Sequence, residues 1–171
     1  RLDRKSIDWR ETSTVKGDKN PTPFSYLTSG FSPPNIPCHI AYTNNKAHDV
    51  IEKNKDRSPM FTGDINGTGP RYCPSIEDKI HRFSERKSHL LFLEPEWKNS
   101  DQIYLNGFST SLPESIQLRA LQQIPALRNV NFFRPGYAIE YDFFPPSQLK
   151  NTLETKEVEG LFFAGQVNGT S

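Results

Sequence analysis

Apolar residues along the chain fall into two spacings, and those spacings predict most of the regular structure. Ile76, Ile80 and Phe83 recur at i, i+4 and i+7, the apolar face of an amphipathic helix opening at Pro74. Glu77 and Asp78 stand in its first turn and Arg82 and Arg86 near its end, in keeping with the helix dipole. Ile116, Ala120 and Ile124 predict a second helix from Pro113 to about Ile124, and Ala47, Val50 and Ile51 a third to about Lys55, which Asn44 or Asn45 can cap. Shorter apolar runs predict strands at Phe24–Leu27, Cys38–Tyr42, Leu90–Leu93, Ile103–Leu105, Val130–Phe133, Tyr137–Phe143 and Val158–Gly165. Within Cys38–Tyr42 the alternation sets Cys38, Ile40 and Tyr42 on one face. Strands and helices in this irregular order predict an α+β fold with a mixed sheet, not a regular βαβ succession.

Between these elements lie Pro-, Ser- and Thr-rich connections, notably residues 1–35 and the Gly/Pro loop from Ser58 to Pro70. Fourteen prolines and 34% hydrophobic residues describe a polar, loop-rich chain, yet 12 Phe, 6 Tyr and 2 Trp supply enough core material to exclude disorder. A net charge of +1 gives no global reason to bind nucleic acid. Lys53, Lys55, Arg57, Lys79, Arg82, Arg86 and Lys87 would form a local basic patch only if their two helices are neighbours. The two cysteines make neither a metal pair nor a disulfide framework, which fits a reducing, cytoplasmic setting. No apolar run approaches the roughly 20 residues that span a bilayer. The absence of an initial Met and the stop just after a strand-like run suggest an excised piece of a longer protein.

The chemistry concentrates in Gly69-Pro-Arg-Tyr-Cys-Pro-Ser-Ile-Glu-Asp-Lys79. A cysteine just before a helix start meets unpaired backbone N–H groups and a partial positive charge, and Arg71 adds a permanent cation. Both favour the Cys73 thiolate and lower its pKa from the free value of roughly 8.5; packing as a small hydrophobe is the plainer alternative. Gly165, closing the apolar run from Val158, allows a ligand or backbone to approach, with Gln166 projecting beyond the strand end. Arg134-Pro-Gly-Tyr137 could bind a phosphate or stack a base, or simply turn the chain. The four histidines show no metal-binding spacing, and no metal is expected. A dinucleotide G-x-G-x-x-G fingerprint, a P-loop and a G-x-S-x-G elbow are all missing.

At the level of whole motifs the sequence resembles the MnmG (GidA) family of flavin-dependent tRNA wobble-uridine modification enzymes. The resemblance rests on Thr43–Ile51, Asp56–Met60, Gly69–Lys79, Asn106–Pro113, Arg134–Phe144 and Gly160–Thr170, and so runs nearly end to end. It implies an inserted, NADH-associated domain over residues 1–155 of a Rossmann-type, glutathione-reductase-like FAD protein, followed by a truncated return strand of the FAD domain over 156–171. It further implies an essential Cys73, which the chemistry above pairs with Arg71 as its activating cation, and an NAD contact at Gly69, Pro70, Arg71, Tyr72, Cys73, Pro74, Ser75, Glu77, Asp78 and Lys79. A flavin contact at Gln166, beside Gly165, completes the implied site. The implied reaction uses FAD, NADH and methylenetetrahydrofolate to add a (carboxymethyl)aminomethyl group to uridine C5, on tRNA. The implied partners are the GTPase MnmE and a second copy of the full-length protein, in a heterotetramer; the fragment alone is expected to be inactive and to retain no FAD. The alternatives are a catalytically inactive dinucleotide- or tRNA-binding module, for the isolated fragment, and a related folate- and flavin-dependent tRNA uridine methyltransferase.

Overall fold

The computed structural model describes residues 1–62, 75–139 and 142–169. Five strands, β1 (Leu2–Asp3), β2 (Ser13–Val15), β3 (Cys38–Tyr42), β4 (Leu90–Pro95) and β5 (Gln102–Asn106), form one sheet in the order β1-β5-β4-β3-β2. Every pairing in it is antiparallel, so the α+β expectation holds while the sheet is not mixed. The helices are α1 (Asn45–Glu52), α2 (Pro59–Thr62), α3 (Ile76–Arg82) and α4 (Glu114–Leu121), with α1 packed on both α3 and α4.

The strand register decides which face is buried. Ala41 lies opposite Leu91, Leu93 opposite Leu105, and Ile103 opposite Leu2. These residues share one core with Ala47 and Ile51 of α1, Ile76 and Ile80 of α3, and Ile116, Ala120 and Leu121 of α4. Covering this face alone makes a two-layer structure, in which each fully buried aliphatic side chain contributes about 1.5–3 kcal/mol. Cys38, Ile40 and Tyr42 do share a face of β3, but it is the outer one, and Tyr42 is exposed. Small Ala41 fills the inward position because β4 brings the larger Leu91 to the same place.

Several predicted strands do not form. Phe24–Leu27 is a bend and turn with its apolar side chains in solvent. From Val130–Phe133 only an isolated bridge survives, Phe132 to Leu2, and the described part of Tyr137–Phe143 has no strand pairing. Val158–Gly165 turns rather than extends, with one bridge from Phe162 to Glu154. Residues 131–133 and 161–163 each pair with a neighbour over a single bridge and its flanking backbone bonds, too short a contact to make a strand, while Phe24–Leu27 has no strand beside it.

Candidate functional site

Asn44 caps α1 by accepting the Ala47 N–H at 2.9 Å, while its amide donates to the Gln123 carbonyl at 2.8 Å, binding α1 to the end of α4. The helix after the cysteine motif begins at Ile76, with Ser75 as its cap accepting the Asp78 N–H at 3.2 Å. The Ile76 N–H donates to the Ser109 carbonyl at 2.7 Å. Two of the N–H groups expected to face Cys73 are therefore taken, and the helix is only seven residues long. Its start lies two residues later than expected, at Ile76 rather than Pro74. Cys73, Arg71, Gly69, Pro70, Tyr72 and Pro74 lie outside the described residues.

The described part of the motif is embedded in the fold. Ser75 is buried under its own cap bond. Glu77, expected in a solvated first turn, is only 2% exposed. Its Oε1 accepts the Thr110 hydroxyl at 2.5 Å, and its Oε2 is buried without a hydrogen-bond partner. Asp78 pairs with Arg82 at 2.8 Å, and Lys79 Nζ donates to the Gly107 carbonyl at 3.4 Å. Asp78 and Lys79 are half-buried, so of the described motif residues they are the two a dinucleotide could reach from solvent. Ile76 and Ile80 enter the core as expected, whereas Phe83 falls past the last turn, exposed under the Arg86 guanidinium 5.0 Å from its ring centre.

Thr110 and Gln117 were not legible as site residues, yet they join three motifs. Gln117 donates to the Leu112 and Gly136 carbonyls at 2.6 and 2.9 Å and accepts the Gly136 N–H at 2.8 Å. A Cβ at Gly136 would stand 2.6 Å from the Thr110 carbonyl oxygen, which explains a glycine there. The Arg134–Tyr137 stretch is thus a turn clamped to α4, and the Arg134 guanidinium lies 5.1 Å over the Tyr137 ring. The available signal was the polar run Asn106–Pro113 between two apolar elements.

Gly165 and Gln166 occupy a second region, where a 3-10 turn, Gln166–Asn168, follows Gly165. The Phe144 N–H donates to the Val167 carbonyl at 2.8 Å, holding this turn against the preceding segment. Gly165 has φ +90°, and nothing lies within 4 Å of the place its Cβ would take. Gln166 is exposed. The empty space where a Gly165 Cβ would stand, beside the exposed Gln166 side chain, leaves room for a planar, polar cofactor such as a flavin.

α1 and α3 are neighbours, but they do not make a uniform basic patch. The cleft of about 630 Å³ between α1 and residues 80–87 is lined by Asp49, Glu52 and Glu85 as well as Arg86 and Lys87. Lys55 is paired with Glu52 and Arg82 with Asp78. Mixed signs at this spacing cancel the field that would track a phosphate backbone. Partial burial and the Glu94 charge raise the Cys38 pKa, which disfavours the reactive thiolate. Among the described residues no cluster of His, Cys, Asp and Glu could hold a metal ion, and no helix is long and apolar enough to cross a membrane.

A family model described as Glucose inhibited division protein A matches residues 1–171. A tRNA uridine 5-carboxymethylaminomethyl modification enzyme MnmG from Chlorobium phaeovibrioides is 55% identical over 172 residues, and its counterpart from Christiangramia forsetii is 56% identical over 173. Each alignment covers 100% of this chain and 28% of the relative, so the chain spans little more than a quarter of their length. The structure of Aquifex aeolicus GidA in its form I crystal superposes with a TM-score of 0.85 at 46% identity, covering 99% of this chain and 30% of that one. The form II crystal gives 0.78 at 41% identity, covering 99% and 27%.

Proposed function

The chain belongs to the glucose inhibited division protein A family, and from that membership we propose that it is the cysteine-bearing part of a tRNA uridine 5-carboxymethylaminomethyl modification enzyme. The observation that carries this reading is an identity of 55% in an alignment that covers the whole chain. In the full-length protein we assign residues 1–155 to an inserted, NADH-associated domain and 156–171 to the return into a Rossmann-type FAD domain. The modification is placed on C5 of a tRNA wobble uridine, in the cytoplasm, with methylenetetrahydrofolate as one-carbon donor and the GTPase MnmE as partner in a heterotetramer containing two copies of the protein.

FAD, when bound and reduced by NADH, supplies the electrons of the reaction. The work assigned to this chain is binding and activation. Gly165 and Gln166 would hold the flavin, Gly165 by the room its missing side chain leaves and Gln166 by its exposed amide. Asp78 and Lys79 are the described residues offered to NADH, at the edge of the Gly69–Lys79 motif. Cys73 acts on the uracil ring. C5 of uracil is a weak nucleophile until a group adds to C6 or a base drives proton loss, and a thiolate can perform either task. Arg71, a permanent cation two residues before Cys73, together with the start of the helix that follows, favours the thiolate. Tyr72 offers a surface on which an unstacked base can rest.

The test is made in the full-length protein. Cys73→Ser is expected to retain flavin and to abolish the wobble modification in a complementation assay; retained modification overturns the role of Cys73. Nucleosides from cells lacking the gene should lose the wobble aminomethyl group. Loss of ribothymidine alone would instead identify the related methyltransferase.

A further inference from the structure

Thr43, His48 and His89 form a buried polar cluster where β3 leads into α1 and the chain returns from α3 to β4. They are 2%, 9% and 8% exposed. The two imidazole rings lie 5.3 Å apart between centroids and tilt by 40°. Thr43 Oγ1 accepts the His89 backbone N–H at 2.7 Å and lies 2.7 Å from His48 Nε2. The shorter bond for the hydroxyl proton is the one to His48 Nε2, which in that arrangement is an unprotonated acceptor. Were His48 charged, that nitrogen would donate, leaving the hydroxyl proton only the His89 carbonyl at 3.5 Å. His89 Nε2 is buried and has no hydrogen-bond partner, so a proton there has no acceptor.

The surrounding charges work in the same direction. Lys79 of α3, and Arg86 beyond it, oppose charge on His89, against a single favourable Glu85. Asp49 of α1 is the one group that favours charge on His48. Glu52, His81, Glu85, Arg86 and Lys87 share with His48 the walls of the cleft between α1 and residues 80–87. No charged group of β3 or β4 acts on either ring.

We infer that Thr43, His48 and His89 form an acid-sensitive latch: with both rings neutral it clamps α1 to the β3–β4 end of the sheet, and a proton on either ring releases α1 and widens the cleft. Burial lowers the pKa of both histidines from 6.5, with the opposing His48, Lys79 and Arg86 adding to the effect at His89. A group that binds its proton less well when folded takes one up on opening. The latch is therefore complete above pH about 6.5 and weakens as pH falls below it, by up to tenfold in the opening equilibrium per proton and pH unit.

Amide hydrogen exchange and imidazole NMR titrations from pH 8 to 5 on this 171-residue chain test the inference. After correction for intrinsic rates, exchange of the α1 amides His48–Glu52 should accelerate at least tenfold relative to those of β4 below pH 6. The rings of His48 and His89 should titrate below 6.5 over the same interval. His48→Gln/His89→Gln should remove that acceleration. Equal acceleration in the double variant, acceleration of α1 and β4 in step, or ring midpoints at or above 6.5 would each overturn the latch. Should the double variant fail to fold, the wild-type exchange ratio and ring midpoints decide the matter.

Discussion

Glu77 and Thr110 are a buried pair that neither residue's sequence context announces. The Thr110 hydroxyl makes the one hydrogen bond recorded for the Glu77 carboxyl and also accepts the Leu112 N–H at 3.1 Å. Thr110→Val keeps the shape and removes both bonds, so it should lower stability by about 2–3 kcal/mol in urea denaturation. A loss under about 0.5 kcal/mol would mean that the carboxyl finds another partner. At Gly136 the obstacle is steric, since a methyl group would meet the backbone oxygen of Thr110. Gly136→Ala should move the 134–137 turn off α4, visible as lost protection of the Gly136 amide in hydrogen exchange. Helical periodicity places Glu77 on α3 but not its carboxyl in the interior, because its burial depends on the 106–112 connection folding over it.

Helix positions were legible because caps and apolar spacing act locally. Asn44, Ala47 and Ile51 behave as the sequence predicts, and α4 keeps Ile116 and Ala120 inward. Asn44→Ala should cost about 1–2 kcal/mol, since it removes a cap and the bond to Gln123 together. Ser75→Ala, which loses the cap bond alone, should cost about 1 kcal/mol. If thermal melts rank the two the other way, the tie between α1 and α4 carries no weight. Strands were less legible. Leu90–Leu93 and Phe24–Leu27 are both short apolar runs, yet Leu91 and Leu93 are fully buried and Phe24 projects into solvent. Leu91→Ala should destabilise by about 2–5 kcal/mol, while Phe24→Ser should change stability by less than about 0.5 kcal/mol. The difference is a partner: β4 lies between β3 and β5, and Phe24–Leu27 has no adjacent strand.

For the molecule as a whole, the cysteine motif and the Gly165–Gln166 turn belong to different parts of the chain; Ser75 and Glu77 of the motif are buried, while Gln166 is exposed. The 171-residue chain is expected to purify without flavin absorbance, because one exposed amide beside one glycine leaves most of a dinucleotide unbound. Stoichiometric flavin in this chain would contradict the division of labour proposed above. In the full-length protein, Gln166→Ala should weaken flavin retention without changing the fold, as judged by circular dichroism. By itself the sequence determined the α+β class, helices α1, α3 and α4, the central strands, the family and the cysteine motif, because these follow from local periodicity and from contiguous motifs; α2, within the expected Ser58–Pro70 loop, was not among them. Only the tertiary structure decided that the sheet is antiparallel and covered on one face, that Ala41 rather than Ile40 points inward, and that Glu77, His48 and His89 are buried. Those outcomes depend on which distant segments lie alongside each residue, and no local pattern of apolar and polar positions records its neighbours across the sheet.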